Sequence, residues 1–110
     1  KTMGTLTGSV ETVTGDGSGT DAIALTTLTS YLNTSGGTSS LTLATGTTGQ
    51  IKIITMITAG NAATLTTTNG NLLAGQVANS ITFDAVGETA TLLYNGTKWI
   101  VTSIQGATIG

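Results

Sequence analysis

The chain has no cysteine, no proline and no histidine, and only 7 % of its residues are charged. Each absence removes a class of function. Without cysteine there is neither a disulfide framework nor thiolate chemistry. Without histidine or cysteine, the usual ligand sets for zinc and other transition metals are missing. The three cations are all lysine, set against five acidic residues, so the chain lacks the many cationic phosphate contacts on which nucleic-acid affinity rests. Its longest apolar runs are a handful of residues interrupted by threonine, too short to span a bilayer as a helix. The expectation is therefore no cofactor, no metal, no nucleic-acid partner and no membrane.

What the chain does have is glycine, threonine and aliphatic residues. About a quarter of it is threonine and 38 % is hydrophobic. That is the reverse of the low-hydrophobicity, high-charge signature of disorder. Branched threonine, valine and isoleucine side chains suit a pleated surface. At 110 residues one domain is expected. A surface with so few charges is unlike that of free monomers, which stay apart in solution through charge. It suits a subunit packed permanently against copies of itself or against another protein.

Along the chain, residues 1–21 are small and polar and read as an N-terminal arm or loop. Val10 and Val13 are isolated apolar points in a weak strand there, able to dock on a neighbouring subunit. Residues 22–110 form a single β domain. Ala22 to Thr26 reads as a strand, and the stretch around Leu28, Tyr31 and Leu32 as irregular and extended. Leu41 and Leu43 mark the next strand. Gln50 to Thr58 is the longest β-rich run, with Ile51, Ile53 and Ile57 on one side and Lys52, Ile54 and Met56 on the other. Apolar residues on both sides suggest a central strand covered on both faces. Ala63–Thr67 and Ser80–Ala85 follow, Asn69-Gly70-Asn71 is another turn signal, Leu72-Leu73 read as a plug under a loop, and Gly106 to Gly110 as a small, flexible tail. Asn95-Gly96 between two apolar runs predicts a two-residue hairpin turn, which pairs Tyr94 with Thr97 and Leu92 with Trp99. Turn signals recur at Gly15–Gly19, Ser35-Gly36-Gly37, Gly46–Gly49 and Ala59-Gly60-Asn61. The fold class is all-β: an antiparallel sandwich or barrel of about seven to eight short strands, with no internal repeat.

Few residues suggest chemistry, and catalysis is not expected. Asp84 and Glu88 are the nearest acidic pair, and they flank a turn where acids are ordinarily solvated. The loop Asp16-Gly17-Ser18-Gly19-Thr20-Asp21 alternates oxygen donors with glycine, but it lacks the distal glutamate and helices of a calcium-binding hand. Asn33-Thr34-Ser35 and Asn95-Gly96-Thr97 match the glycosylation sequon, a motif short enough to arise by chance. Tyr31, Tyr94 and Trp99 would stack on sugar if exposed, although Trp99 paired with Leu92 reads better as core. The candidate interface residues are thus Val10, Val13, Tyr31, Tyr94, Asn95, Gly96 and Trp99.

Gly49-Gln50-Ile51-Lys52, Ala63-Thr64-Leu65-Thr66, Ser80-Ile81-Thr82-Phe83, Val86 through Tyr94 and Lys98-Trp99-Ile100-Val101 together resemble small structural proteins of tailed bacteriophage virions, marine ones especially. The likeness extends upstream to Val10–Thr14 and Ala24–Thr27, and so covers most of the chain. It rests on β-strand text of low complexity with no catalytic motif. The resemblance implies a β-rich, self-associating, non-enzymatic particle component, head-associated or fibre-associated. The first expectation is a decoration protein on the outer capsid surface, a trimer that cements the major capsid protein or other virion subunits. A tail or head fibre or spike module binding a host glycan is the alternative, and a secreted filament-forming subunit is a third.

Overall fold

The computed structural model describes residues 8–67 and 79–110. They form ten strands: β1 (Val10–Thr14), β2 (Asp21–Ala22), β3 (Thr29–Asn33), β4 (Ser39–Leu43), β5 (Ile51–Thr58), β6 (Ala63–Thr67), β7 (Ser80–Phe83), β8 (Thr89–Tyr94), β9 (Trp99–Gln105) and β10 (Thr108–Ile109). The all-β expectation holds, and no helix occurs among the described residues. The strands make two five-stranded sheets, ordered β1-β3-β5-β8-β9 and β10-β7-β6-β4-β2. Expected turns and plug at Asn69–Asn71 and Leu72-Leu73 lie outside the described residues.

Chain order explains this arrangement. From β1 to β6 the chain crosses between the sheets at every step, laying one strand in each before returning. Successive strands within a sheet are therefore parallel: β1 with β3, β3 with β5, β2 with β4, and β4 with β6. Each pair β1/β2, β3/β4 and β5/β6 is one rung of a stack. The chain then reverses, and β7/β8 forms a fourth rung by antiparallel pairing with β6 and β5. β9/β10 forms a fifth, again antiparallel to its neighbours. The expected antiparallel pairing thus holds only for the last two rungs. An alternating strand states which face is buried, but not which strand lies beside it or in which direction.

The rung corners show why glycine recurs. The β1–β2, β3–β4 and β5–β6 connections lie against one another, with Gly17 N donating to Thr38 O and Ser39 N to Ala62 O. A Cβ on Gly37 would sit 2.6 Å from the backbone of Asp16 and Gly17. Buried Thr34 fastens the next corner: its hydroxyl donates to Asn61 O at 2.6 Å, and Asn61 Nδ2 donates to Thr34 O at 2.9 Å. The turns expected at Gly15–Gly19, Ser35–Gly37 and Ala59–Asn61 are therefore the same corner of three successive rungs.

Between the sheets lies one core. Leu32, Ile54, Leu92 and Trp99 meet Leu41, Leu65, Ile81 and Phe83 there, all at most 2 % exposed. Within β5 the division of faces is as expected: Lys52, Ile54 and Met56 point inward, and Ile51, Ile53 and Ile57 outward. The outward side is uncovered, however. Ile51 is 46 % and Ile57 42 % exposed, so β5 is central in its sheet but covered on one face only.

Five further expectations are corrected. The hairpin register is Tyr94 with Trp99 and Leu92 with Val101, two residues away from the expected pairing. Asn95 builds a longer turn, its Oδ1 accepting from Thr97 N and Lys98 N, with Asn95 N donating to Lys98 O. Only Gly96 takes a positive φ there, 102°, which excludes the two-residue turn that needs both central residues left-handed. A shift of two preserves faces, so Trp99 still lies inward with Leu92. The strand expected at Ala22–Thr26 is confined to Asp21–Ala22, the Tyr31 stretch is a full strand, and the C-terminal tail contributes β10. Residues 10–14, expected in a separate arm, are an edge strand of the first sheet with Val13 in the core.

Gly37→Ala should destabilise the chain by about 1–3 kcal/mol, because the added methyl meets backbone that cannot yield. Exposed Ser40→Ala, on the same rung, should stay within about 0.5 kcal/mol. Urea midpoints at constant m-value measure both.

Candidate functional site

The outward face of the first sheet is the surface least like that of a free monomer. Register places Val10, Thr29, Ile53, Thr91 and Ser103 in one row across it, and Thr12, Tyr31, Thr55, Thr89 and Gln105 in the next. Ile51, Leu93 and Ile100 form a third. None of these residues is charged. Val10 is 50 % exposed, and with Ile51 and Ile57 it breaks the threonine surface with bare aliphatic groups.

The second sheet's outward face is also uncharged but wetter. Its rows are Ser40–Thr64–Thr82–Thr108 and Ala22–Thr42–Thr66–Ser80. Alternation puts hydroxyls on β4, β6, β7 and β10 there, because the residues between them, Leu41, Leu65 and Ile81, fill the core.

The residues singled out in the sequence do not form one site. Val10 is exposed at the start of β1, whereas Val13 is 9 % exposed and faces the core. Tyr31 is half-buried on the outward face of β3. Tyr94 and Trp99 are buried and pack edge to face, with ring centroids 5.2 Å apart at 65°. Trp99 Nε1 donates to Ala44 O at 2.9 Å, which satisfies the indole inside the core. Neither ring is available to a sugar. Asn95 and Gly96 shape the hairpin turn, and Asn95 spends its side-chain oxygen on it. In the Asp16 loop, Asp16 Oδ1 accepts from Ser18 N and Oγ, and these hydrogen bonds lower the Asp16 pKa. Among the described residues no three of His, Cys, Asp and Glu gather into a metal-holding group. Glu88 Oε1 accepts from Asp84 N and Ala85 N, so this acid braces its own turn.

The feature that sequence reasoning missed is a buried polar cluster under rungs one to three. Lys52 is fully shielded, and its Nζ donates to Thr27 O at 2.7 Å and Thr27 Oγ1 at 2.6 Å. Glu11 Oε2 lies 3.9 Å from that ammonium and accepts from Ala24 N at 2.9 Å and Ser30 Oγ at 2.5 Å. Placing Lys52 beside Ile54 and Met56 on one face was the available signal. Glu11 as its partner was not legible, because parallel stacking brings them together from two rungs apart. Burial lowers the Lys52 pKa below its ordinary 10.5, and the Glu11 charge opposes that shift.

No protein-family model and no curated protein matches this chain.

Glu11→Gln keeps an oxygen for Ala24 N and Ser30 Oγ but strips the ammonium of its counter-charge. The expected loss lies toward the lower end of about 3–5 kcal/mol, since Glu11 retains 22 % exposure. Glu11→Leu with Lys52→Met should recover most of it, as buried pairs replaced by apolar groups commonly do. The folded chain releases the Lys52 proton at lower pH than the unfolded chain. From the folded pKa up to 10.5, the unfolded state therefore binds more protons and stability rises with pH. Lys52→Met should abolish that rise, as read from urea midpoints across alkaline pH.

Proposed function

We propose that this chain is a structural subunit of a tailed-bacteriophage virion, a decoration protein that caps and cements the outer capsid shell. One observation carries the reading: among the described residues both broad faces of the sandwich are uncharged, and the first sheet leaves Ile51 46 % and Ile57 42 % exposed. An uncharged surface with aliphatic groups left bare suits a contact face better than a solvated one. The resemblance to small virion proteins supplies the particle. In this reading the first sheet's outward face packs against neighbouring subunits within a trimer and against the major capsid protein. Its role is non-enzymatic. Many identical weak contacts sum over the symmetric shell through multivalency. A glycan-binding fibre module is the weaker alternative, because Trp99 and Tyr94 lie in the core and leave only half-buried Tyr31 for stacking.

Imaging of purified particles with symmetry averaging tests the proposal. Density for this chain should form clusters on the head lattice, in fixed ratio to the major capsid protein. A few copies confined to the tail, or filaments without heads, would refute it. Ile51→Lys with Ile57→Lys places two charges on exposed positions. It should lower occupancy on particles about tenfold or more, a penalty of about 1.4 kcal/mol per decade, with the urea midpoint of the free chain nearly unchanged.

A further inference from the structure

The two ends of the rung stack match each other. In the first sheet β1, β3 and β5 run one way, β8 runs against them, and β9 runs against β8. β9 therefore points the same way as β1, at the opposite edge. In the second sheet the same sequence of pairings gives β10 the direction of β2, again at opposite edges. The fifth rung thus has the sense of the first, and in both rungs the chain passes from the first sheet to the second.

Among the described residues, the end strands β1 and β9 of the first sheet are open to strand addition, while β2 and β10 present short edges of two residues each. Natural edges are blunted by lysine, proline or covering segments. β1 reads Val-Glu-Thr-Val-Thr and β9 Trp-Ile-Val-Thr-Ser-Ile-Gln, with no lysine or proline in either. The Glu11 side chain reaches Lys52 beneath the sheet and does not guard the edge. Among the described residues, β1 pairs with β3 alone and β9 with β8 alone. Each edge also carries an exposed aliphatic side chain, Val10 at 50 % and Ile104 at 36 %.

We infer that copies of this chain associate end to end, with β9 and β10 of one copy adding to β1 and β2 of the next. Both sheets then continue across the junction in parallel pairing. A partner for the first rung must present two strands of fixed sense, separated by the thickness of the sandwich, about 10 Å. The fifth rung of a second copy meets both requirements, since all rungs of this chain enclose the same core. Such a contact is heterologous: the two patches differ, and unless rotation closes a ring it propagates as a linear stack. It uses surfaces separate from the outward sheet faces and does not depend on the virion reading.

Complementation between two blocked variants tests the inference. The background carries Ile51→Lys and Ile57→Lys, so that face-to-face contact does not enter. Onto it one variant adds Val10→Lys and Thr12→Lys, and the other Thr102→Lys and Ile104→Lys. All four positions are exposed, and urea midpoints verify that both variants fold. By sedimentation velocity, the background chain should show concentration-dependent multimers, and each blocked variant alone should be monomeric. Their equimolar mixture should form dimers and nothing larger, because each retains the end that the other has lost. A background chain that stays monomeric at millimolar concentration overturns the inference. So does dimerisation of the Val10/Thr12 variant alone, which would mean two-fold pairing of β9 with β9.

Discussion

A single buried ammonium holds the first three rungs in register. Lys52 hangs from β5 into the core, where no water reaches it, and its charge has to be met by the protein. Thr27 meets it from the segment that returns the chain to the first sheet, and Glu11 meets it from β1. Glu11 in turn ties down Ala24 N and Ser30 Oγ. Cutting out one partner strands the others, so a misplaced first rung loses this cluster as well as the five-residue ladder of β1. An apolar core would tolerate slippage of an edge strand, but a paired charge does not. We regard the cluster as the device that fixes which rung lies where in a sandwich otherwise made of interchangeable threonine-rich strands.

That constraint also explains where the charge went. Two of the eight charged residues are spent inside, and Asp16, Asp84, Glu88 and Lys98 sit in turns and loops beside the sheets. The sheets themselves are left with threonine, serine and aliphatic groups outward. In a monomer this would invite precipitation. In an assembly it removes the desolvation cost that charged groups would impose when two faces close.

How much of this was legible in the sequence follows from what strand text encodes. Period-two alternation gave the inward and outward sets of β5, and it placed Trp99 with Leu92 inside although the hairpin register was two residues out. The number of strands is underestimated because β10 is two residues long, too short to alternate visibly, and because β3 carries more polar than apolar residues. Parallel stacking was hidden because the rungs differ in length and repeat no motif. The signal lies in the glycine-bearing corners at Gly15, Gly37 and Gly60, which look like separate turns in the sequence. Among the candidate interface residues, Val10 and Tyr31 lie on the outward face. Val13, Tyr94 and Trp99 occupy inward positions of β1, β8 and β9 and fill the core.

The central claim is that the uncharged sheet surfaces are contact surfaces. The most direct measurement is the salt dependence of self-association, by sedimentation equilibrium from low to molar sodium chloride. Contacts without charge should be indifferent to screening, or tighten slightly as salt strengthens apolar burial, so association should hold steady or rise. Association that falls steeply with salt would place the contacts on the few charged loops instead, and would contradict the account.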